Sequence, residues 1–222
     1  IRLSLVGSEM CIRDRPQTEM TCHSPATEQA PDGATRIALI GSPNGGKTSI
    51  FNQLTGLHAK TGNYPGVTVS RSEGVARIHD HTFAIEDLPG TYSLSPISPD
   101  EQVVVDVLDG RMDQVSAPDA LVVVADATAL RRSLLLLAEV LPRHLPTAVV
   151  VTMTDELRRR QGSLDVTALS QALGVPVVAV VANRGIGIGE LRNLLTTWHD
   201  WDRPPLDPPG RSSELAGWVD SV

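Results

Sequence analysis

Gly41-Ser42-Pro43-Asn44-Gly45-Gly46-Lys47-Thr48 decides the fold. The octet matches G-x-x-x-x-G-K-[ST], the phosphate-binding loop. An apolar run, Arg36-Ile37-Ala38-Leu39-Ile40, precedes it, and Ser49-Ile50-Phe51-Asn52-Gln53-Leu54 follows with the character of a helix start. A strand turning into a helix through glycines points a row of backbone N–H groups at one spot. The positive end of the helix adds to their field, so the spot attracts an anion. Lys47 is placed to reach the β- and γ-phosphates and the Thr48 hydroxyl to ligate Mg²⁺. Gly41, Ser42, Pro43, Asn44, Gly45, Gly46 and Ser49 complete the expected cradle. A turn that only joined a strand to a helix would have no use for Lys47-Thr48 at this spacing.

Outward from the loop, apolar strands alternate with helices. Strands are expected near Thr35–Ile40, Thr68–Ile78, His81–Glu86, Ala120–Val124, Thr147–Val151 and Val175–Val181. Helices are expected near Lys47–Thr55, Ser98–Gly110, Leu130–Val140, Leu164–Leu173 and Ile188–Trp198. Ala120-Leu121-Val122-Val123-Val124 is continuously apolar, as a strand covered on both faces must be. Ser98, Pro99 and Glu101 form a helix-start signature with a capping box. The alternation predicts an α/β chain of the P-loop NTPase class. It has three layers, α/β/α, and a mainly parallel six-stranded sheet with one antiparallel edge strand from the hairpin at 68–86. Gly56–Val67 reads as a long, flexible loop.

The 222 residues suffice for one sizeable domain with short extensions. Aromatic residues are only 3%, so Val, Leu, Ile and Ala must build the core. The net charge of -7 argues against general nucleic-acid binding, which needs a basic face. Cys11 and Cys22 fit no metal spacing, and the six histidines are scattered and offer no iron site. No stretch reaches the ~18 apolar residues of a membrane span, so no direct membrane insertion is expected. The boundaries read as a lead-in over 1–33, a nucleotide-binding domain over 34–201, and a Pro-rich linker opening a truncated helical region over 202–222. Within the lead-in, Val6–Arg15 resembles translated adapter DNA, which makes 1–19 a sequencing artefact and Met20 a natural start; a native disordered tail is the alternative.

Four further stretches stand in a workable order. Asp87-Leu88-Pro89-Gly90 fits D-x-x-G at a strand end, where an Asp holds Mg²⁺ and the Gly N–H senses the γ-phosphate. Thr68, after Gly66 and Val67, sits where a hydroxyl can swing onto Mg²⁺ when triphosphate is bound. Thr152-Met153-Thr154-Asp155 follows a buried strand where GTPases usually carry Asn-Lys-x-Asp. Asp155 suits a guanine, whose ring N–H and exocyclic amine are both donors; a helix N-cap is its plainer role. Thr152 replaces the Asn with a shorter hydroxyl, expected to tether the loops less, and the Met153 stem covers the base. Val181-Ala182-Asn183 takes the place of the usual Ser-Ala-x, whose backbone N–H meets the guanine oxygen.

With these in order the chain resembles the N-terminal GTPase domain of the bacterial ferrous iron transporter B (FeoB) family. The most specific strings are Asn63-Tyr64-Pro65-Gly66-Val67-Thr68 and Leu88-Pro89-Gly90-Thr91-Tyr92-Ser93-Leu94. The likeness covers roughly residues 35–198; Thr152 and Val181 depart from the family pattern, both on the base side. The resemblance implies slow, K⁺-stimulated hydrolysis of GTP to GDP, with Lys47, Asn44, Thr68 and Gly90 as the catalytic group. It implies Mg²⁺ on Thr48, Thr68 and Asp87, and K⁺ on Asn44. Thr91 stands where many GTPases place a water-orienting Gln. It also implies a cytoplasmic domain regulating Fe²⁺ uptake through a bacterial inner-membrane permease on the same polypeptide. Two other functions remain open from the residues: a soluble, ribosome- or RNA-associated GTPase, and a nucleotide switch with little turnover.

Overall fold

The computed structural model describes residues 30–201, apart from 32 and 58. The expectations for the lead-in (the artefact at 1–19, Met20, Cys11, Cys22, His23), for His58 and for the linker at 202–222 lie outside the described residues.

The described chain runs β1 (Thr35–Gly41), α1 (Lys47–Thr55), β2 (Ala59–Asn63), β3 (Ser70–Ile78), β4 (His81–Asp87), α2 (Pro99–Leu108) and β5 (Ala120–Asp126). It continues α3 (Leu130–Val140), β6 (Thr147–Thr152), α4 (Thr154–Arg159), α5 (Val166–Leu173), β7 (Val177–Ala179) and α6 (Ile188–Thr196). The sheet order is β2-β3-β4-β1-β5-β6-β7. β4, β1, β5, β6 and β7 are mutually parallel; β3 runs antiparallel to β4, and β2 antiparallel to β3.

The central strands are apolar on both sides because both sides are covered. In β1, Ala38 and Ile40 face one core while Ile37 and Leu39 face the other; β5 divides the same way, Leu121 and Val123 against Val122 and Val124. Period-two alternation of side-chain direction makes this division. Val104 and Val107 of α2, Leu137 of α3 and Leu173 of α5 fill the first layer. Ile50 and Phe51 of α1 and Leu191 and Leu195 of α6 fill the second. Each such side chain, taken fully out of water, contributes roughly 1.5–3 kcal/mol before entropy is counted.

The six-stranded expectation is corrected to seven. The added strand, β2, lies in the stretch read as a flexible loop, and β2 rather than β3 forms the sheet edge. Lys60–Asn63 are all exposed, so no apolar alternation marks them. Backbone pairing makes this strand, from Ala59 opposite Gly74 to Asn63 opposite Ser70. The short α4 has no periodic face to mark it, since Leu157 is its one apolar residue; the N-cap reading of Asp155 is its only signal in the sequence. At α2 the Ser98 hydroxyl accepts from the Glu101 N–H at 3.3 Å, as a cap should. The Glu101 carboxylate accepts from the N–H of Ile97 at 2.9 Å, so the expected reciprocal bond reaches one residue further back. Among the described residues, no helix is long and apolar enough to cross a membrane.

Candidate functional site

The site lies at the carboxyl ends of β1, β4, β5 and β6, where the loops between strands and helices converge. β1 ends at Gly41 and α1 begins at Lys47. Gly46 is the residue before α1 and has φ +89°, a conformation that favours glycine. Asn44 also has positive φ, 63°, and asparagine tolerates that region better than most side chains. The residue is exposed.

The loop after β4 is zipped to this one. Leu88 N–H donates to the Leu39 carbonyl at 3.2 Å and Thr91 N–H to the Gly41 carbonyl at 3.1 Å. A Cβ on Gly90 would lie 2.8 Å from Pro43 Cγ and 3.0 Å from its backbone, so only glycine lets the two loops approach so closely. Asp87 Oδ1 accepts from Lys47 Nζ at 2.5 Å and Asp87 Oδ2 from Thr48 Oγ1 at 2.8 Å; Lys47 Nζ also donates to the Leu88 carbonyl. The Lys47 and Asp87 side chains are 9% and 8% exposed, so their attraction is little screened. Thr48 hydroxyl and Asp87 carboxylate form a hard-oxygen pair. That pair suits Mg²⁺, which takes a few protein oxygens and keeps several waters.

Three cavities surround these groups. One of about 570 Å³ is lined by Ser42, Pro43, Asn44, Gly46, Lys47, Thr48, Ser49, Gly90, Asp100 and Met153. A second, of about 380 Å³, brings Thr68 to Lys47, Asp87, Leu88, Pro89 and Gly90, again with Asp100. The third, of about 240 Å³, is lined by Gly46, Ser49, Thr152, Met153, Asp155, Val181, Ala182 and Asn183, together with Glu156 and Arg159. The first and third share Gly46, Ser49 and Met153, so a polar chamber lies beside a smaller one walled largely by apolar surface. Gly66 and Val67 are exposed beside Thr68 and line none of the three.

Two expectations about the third chamber change. The Thr152 hydroxyl is not too short to tie the loops together: it donates to the Gly45 carbonyl at 2.6 Å, with the Ala125 carbonyl 3.2 Å away. β6 carries the residue right under the glycine loop, so the long side chain is dispensable. Thr152→Val keeps the shape and removes the donor, leaving a buried carbonyl unpaired. We expect thermal unfolding to report a loss of about 1–2 kcal/mol, and an unchanged midpoint would show that the tether contributes nothing. Asp155, in turn, is not an N-cap. Met153 holds that position, in a left-handed conformation without a side-chain cap bond. The Asp155 carboxylate projects from the first turn of α4, 3.3 Å from Arg159 Nη2 and 4.0 Å from Arg184 Nη2. Both arginines are well exposed, so these pairs are weak.

Val181 is buried and its backbone closes the loop that follows, through two hydrogen bonds with Ile186. Thr91 is fully buried and its hydroxyl donates to the Ser93 carbonyl at 2.5 Å, so it is turned into its own loop. Sequence reasoning did not single out Asp100 or Arg159 as cavity residues. Asp100 reads as an ordinary acidic first-turn residue of α2; Arg159 is four residues after Asp155, a spacing that could have flagged it.

A family model described as "Ferrous iron transport protein B" matches residues 35–195. The chain is 42% identical over 174 residues to the Fe(2+) transport protein A/Fe(2+) transporter FeoB fusion protein of Porphyromonas gingivalis, covering 78% of this chain and 20% of that protein. It therefore spans about a fifth of the length of that relative. Among solved structures it is similar to the G domain of the T. maritima FeoB iron transporter, with a TM-score of 0.68 and 37% identity, covering 75% of this chain and 99% of that one. It is also similar to the cytosolic domain of the same transporter in a GDP form, with a TM-score of 0.71 and 36% identity, over 78% of this chain and 66% of that one. The α/β/α architecture is that of the P-loop NTPases.

Proposed function

Because the chain belongs to the ferrous iron transport protein B family, we propose that residues 34–201 bind GTP and GDP and hydrolyse GTP. One observation carries this: the polar chamber of the glycine loop adjoins, along Gly46, Ser49 and Met153, an apolar-walled chamber edged by the Asp155 carboxylate. A nucleotide needs that pair of environments, phosphates in the first and base in the second. Asp155 favours guanine, since a carboxylate only accepts and guanine presents two donors to it. Val181, Ala182 and Asn183 line the same chamber, and a backbone N–H of this loop is our proposed partner for the guanine oxygen.

For hydrolysis, the loop amides and Lys47 hold the β- and γ-phosphates, and attack on the γ-phosphate is by water. Lys47 exchanges the Asp87 carboxylate and Leu88 carbonyl for phosphate oxygens, freeing Asp87 and Thr48 to hold Mg²⁺, with Thr68 added in the triphosphate state. When bound, Mg²⁺ supplies positive charge against the developing transition-state charge. The Gly90 N–H senses the γ-phosphate. Thr91, the residue after Gly90, is turned into its own loop and does not fill the place of a water-orienting glutamine, which supports slow turnover. Asn44, exposed at the rim of the phosphate chamber, is proposed as a ligand for K⁺, which would add charge beside the β- and γ-phosphates.

Asn44 must be tested without disturbing its left-handed backbone. Asn44→Ala would add strain to the loss of the amide; Asn44→Gly removes the amide and keeps the conformation. We expect Asn44→Gly to bind GDP as before and to hydrolyse GTP at equal rates in KCl and NaCl, whereas the parent chain is faster in KCl. Equal rates in the parent would remove the potassium proposal and leave GTP hydrolysis standing; no turnover in either salt would leave a nucleotide switch alone.

In the whole protein we propose that this is the cytoplasmic domain whose nucleotide state regulates Fe²⁺ passage through an inner-membrane permease on the same polypeptide. The acidic charge balance and the 63–68 string weigh against a ribosome- or RNA-associated role.

A further inference from the structure

Thr68 is held by more than its own loop. Tyr64-Pro65-Gly66-Val67 is a type II turn: Val67 N–H donates to the Tyr64 carbonyl at 3.3 Å, proline is second and Gly66, with φ +78°, is third. Tyr64 N–H donates to the Val69 carbonyl at 2.9 Å, closing the base of the turn. Thr68 is exposed between two buried anchors, Tyr64 and Val69.

The Tyr64 phenol reaches across to β4. It donates to Glu86 Oε1 at 2.9 Å, which also accepts from Arg71 Nε at 2.9 Å; Glu86 Oε2 lies 3.5 Å from Arg36 Nη2. Glu86 is 4% exposed and sits directly opposite Glu73 in the sheet. Two carboxylates facing each other repel, and here Arg36 and Arg71 each contact both. An apolar residue at 86 would avoid the desolvation that this network must offset. Burial, then the Glu86 charge, push the Tyr64 phenol far above its ordinary pKa, so it stays a donor throughout the neutral range.

Glu86 is also the chain neighbour of Asp87, which holds Lys47 and Thr48. We propose that Glu86 is a positioning residue: through Tyr64 it fixes the turn presenting Thr68 relative to Asp87, and so it favours triphosphate over diphosphate at this site. The proposal rests on the guanine-nucleotide reading above, and it assigns the discrimination to a carboxylate that touches neither phosphate nor metal.

The test uses the 222-residue chain with Mg²⁺ and compares dissociation constants for GDP and the non-hydrolysable GTP analogue GMPPNP. Tyr64→Phe keeps the buried ring and removes only the hydroxyl. We expect it to weaken GMPPNP roughly 10-fold, the scale of one hydrogen bond to a charged group, and to leave GDP unchanged. In a Thr68→Ala background the same change should have no further effect, because the clamp acts through Thr68. Glu86→Gln, which keeps the shape and removes the charge, should act in the same direction as Tyr64→Phe. Equal weakening of both nucleotides, no weakening, or a loss that adds to that of Thr68→Ala would overturn the proposal. A parent chain that binds neither nucleotide would sink the nucleotide reading itself, a separate and distinguishable failure.

Discussion

Lys47→Ala lowers GDP affinity by about 100-fold or more, to the point where nucleotide no longer survives purification. The scale follows from losing charge-assisted hydrogen bonds to phosphate, each worth about 1.5–3 kcal/mol. The net loss is smaller than the gross one, because in the protein as described Lys47 already has partners. Its ammonium lies on Asp87 and the Leu88 carbonyl, and these must be exchanged for phosphate oxygens. Removing Lys47 also leaves the Asp87 carboxylate, 8% exposed, without its cation, so the fold loses stability as well. Binding is therefore measured by calorimetry well below the melting temperature, on protein whose circular dichroism matches the parent. Unchanged GDP binding by folded Lys47→Ala would contradict the whole assignment of the phosphate chamber.

Asp155→Asn has the second large effect, and it falls on specificity. The carboxylate offers two acceptors to two guanine donors, and an amide turns one of those acceptors into a donor facing a donor. Losing two charge-assisted bonds weakens GDP on the order of 10³-fold. A base with a carbonyl in place of the exocyclic amine accepts from the new amide, so xanthosine diphosphate should regain much of what GDP loses. Arg159 and Arg184 contribute little to this difference, being solvent-exposed neighbours of the same carboxylate. Competition between GDP and xanthosine diphosphate on the variant reads the switch, and a variant that still prefers GDP would remove Asp155 from the base site.

The central sheet was legible because its strands are buried on both faces. Ala120–Val124 and Thr147–Val151 could be read as covered strands without knowing what covered them, and the glycine octet fixed where β1 must turn into α1. The phosphate loop, Asp87–Gly90 and Thr152–Asp155 are local strings whose order placed them around one point, and the structure brings them there. The rest depended on contacts far apart in sequence. β2 has four exposed residues out of five and exists because β3 pairs with it. Thr152 was judged by the length of its side chain, but its reach depends on how closely β6 passes beneath Gly45. Glu86 looks like one charge in an apolar strand, and only the fold shows Tyr64, Arg71 and Arg36 gathered around it.

The most direct test of the account is phosphate release from GTP and from ATP by the purified chain, with Mg²⁺ in potassium chloride. We expect slow release from GTP and none above background from ATP, since adenine gives Asp155 no matching pair of donors. No release from GTP, or equal release from both nucleotides, would contradict it.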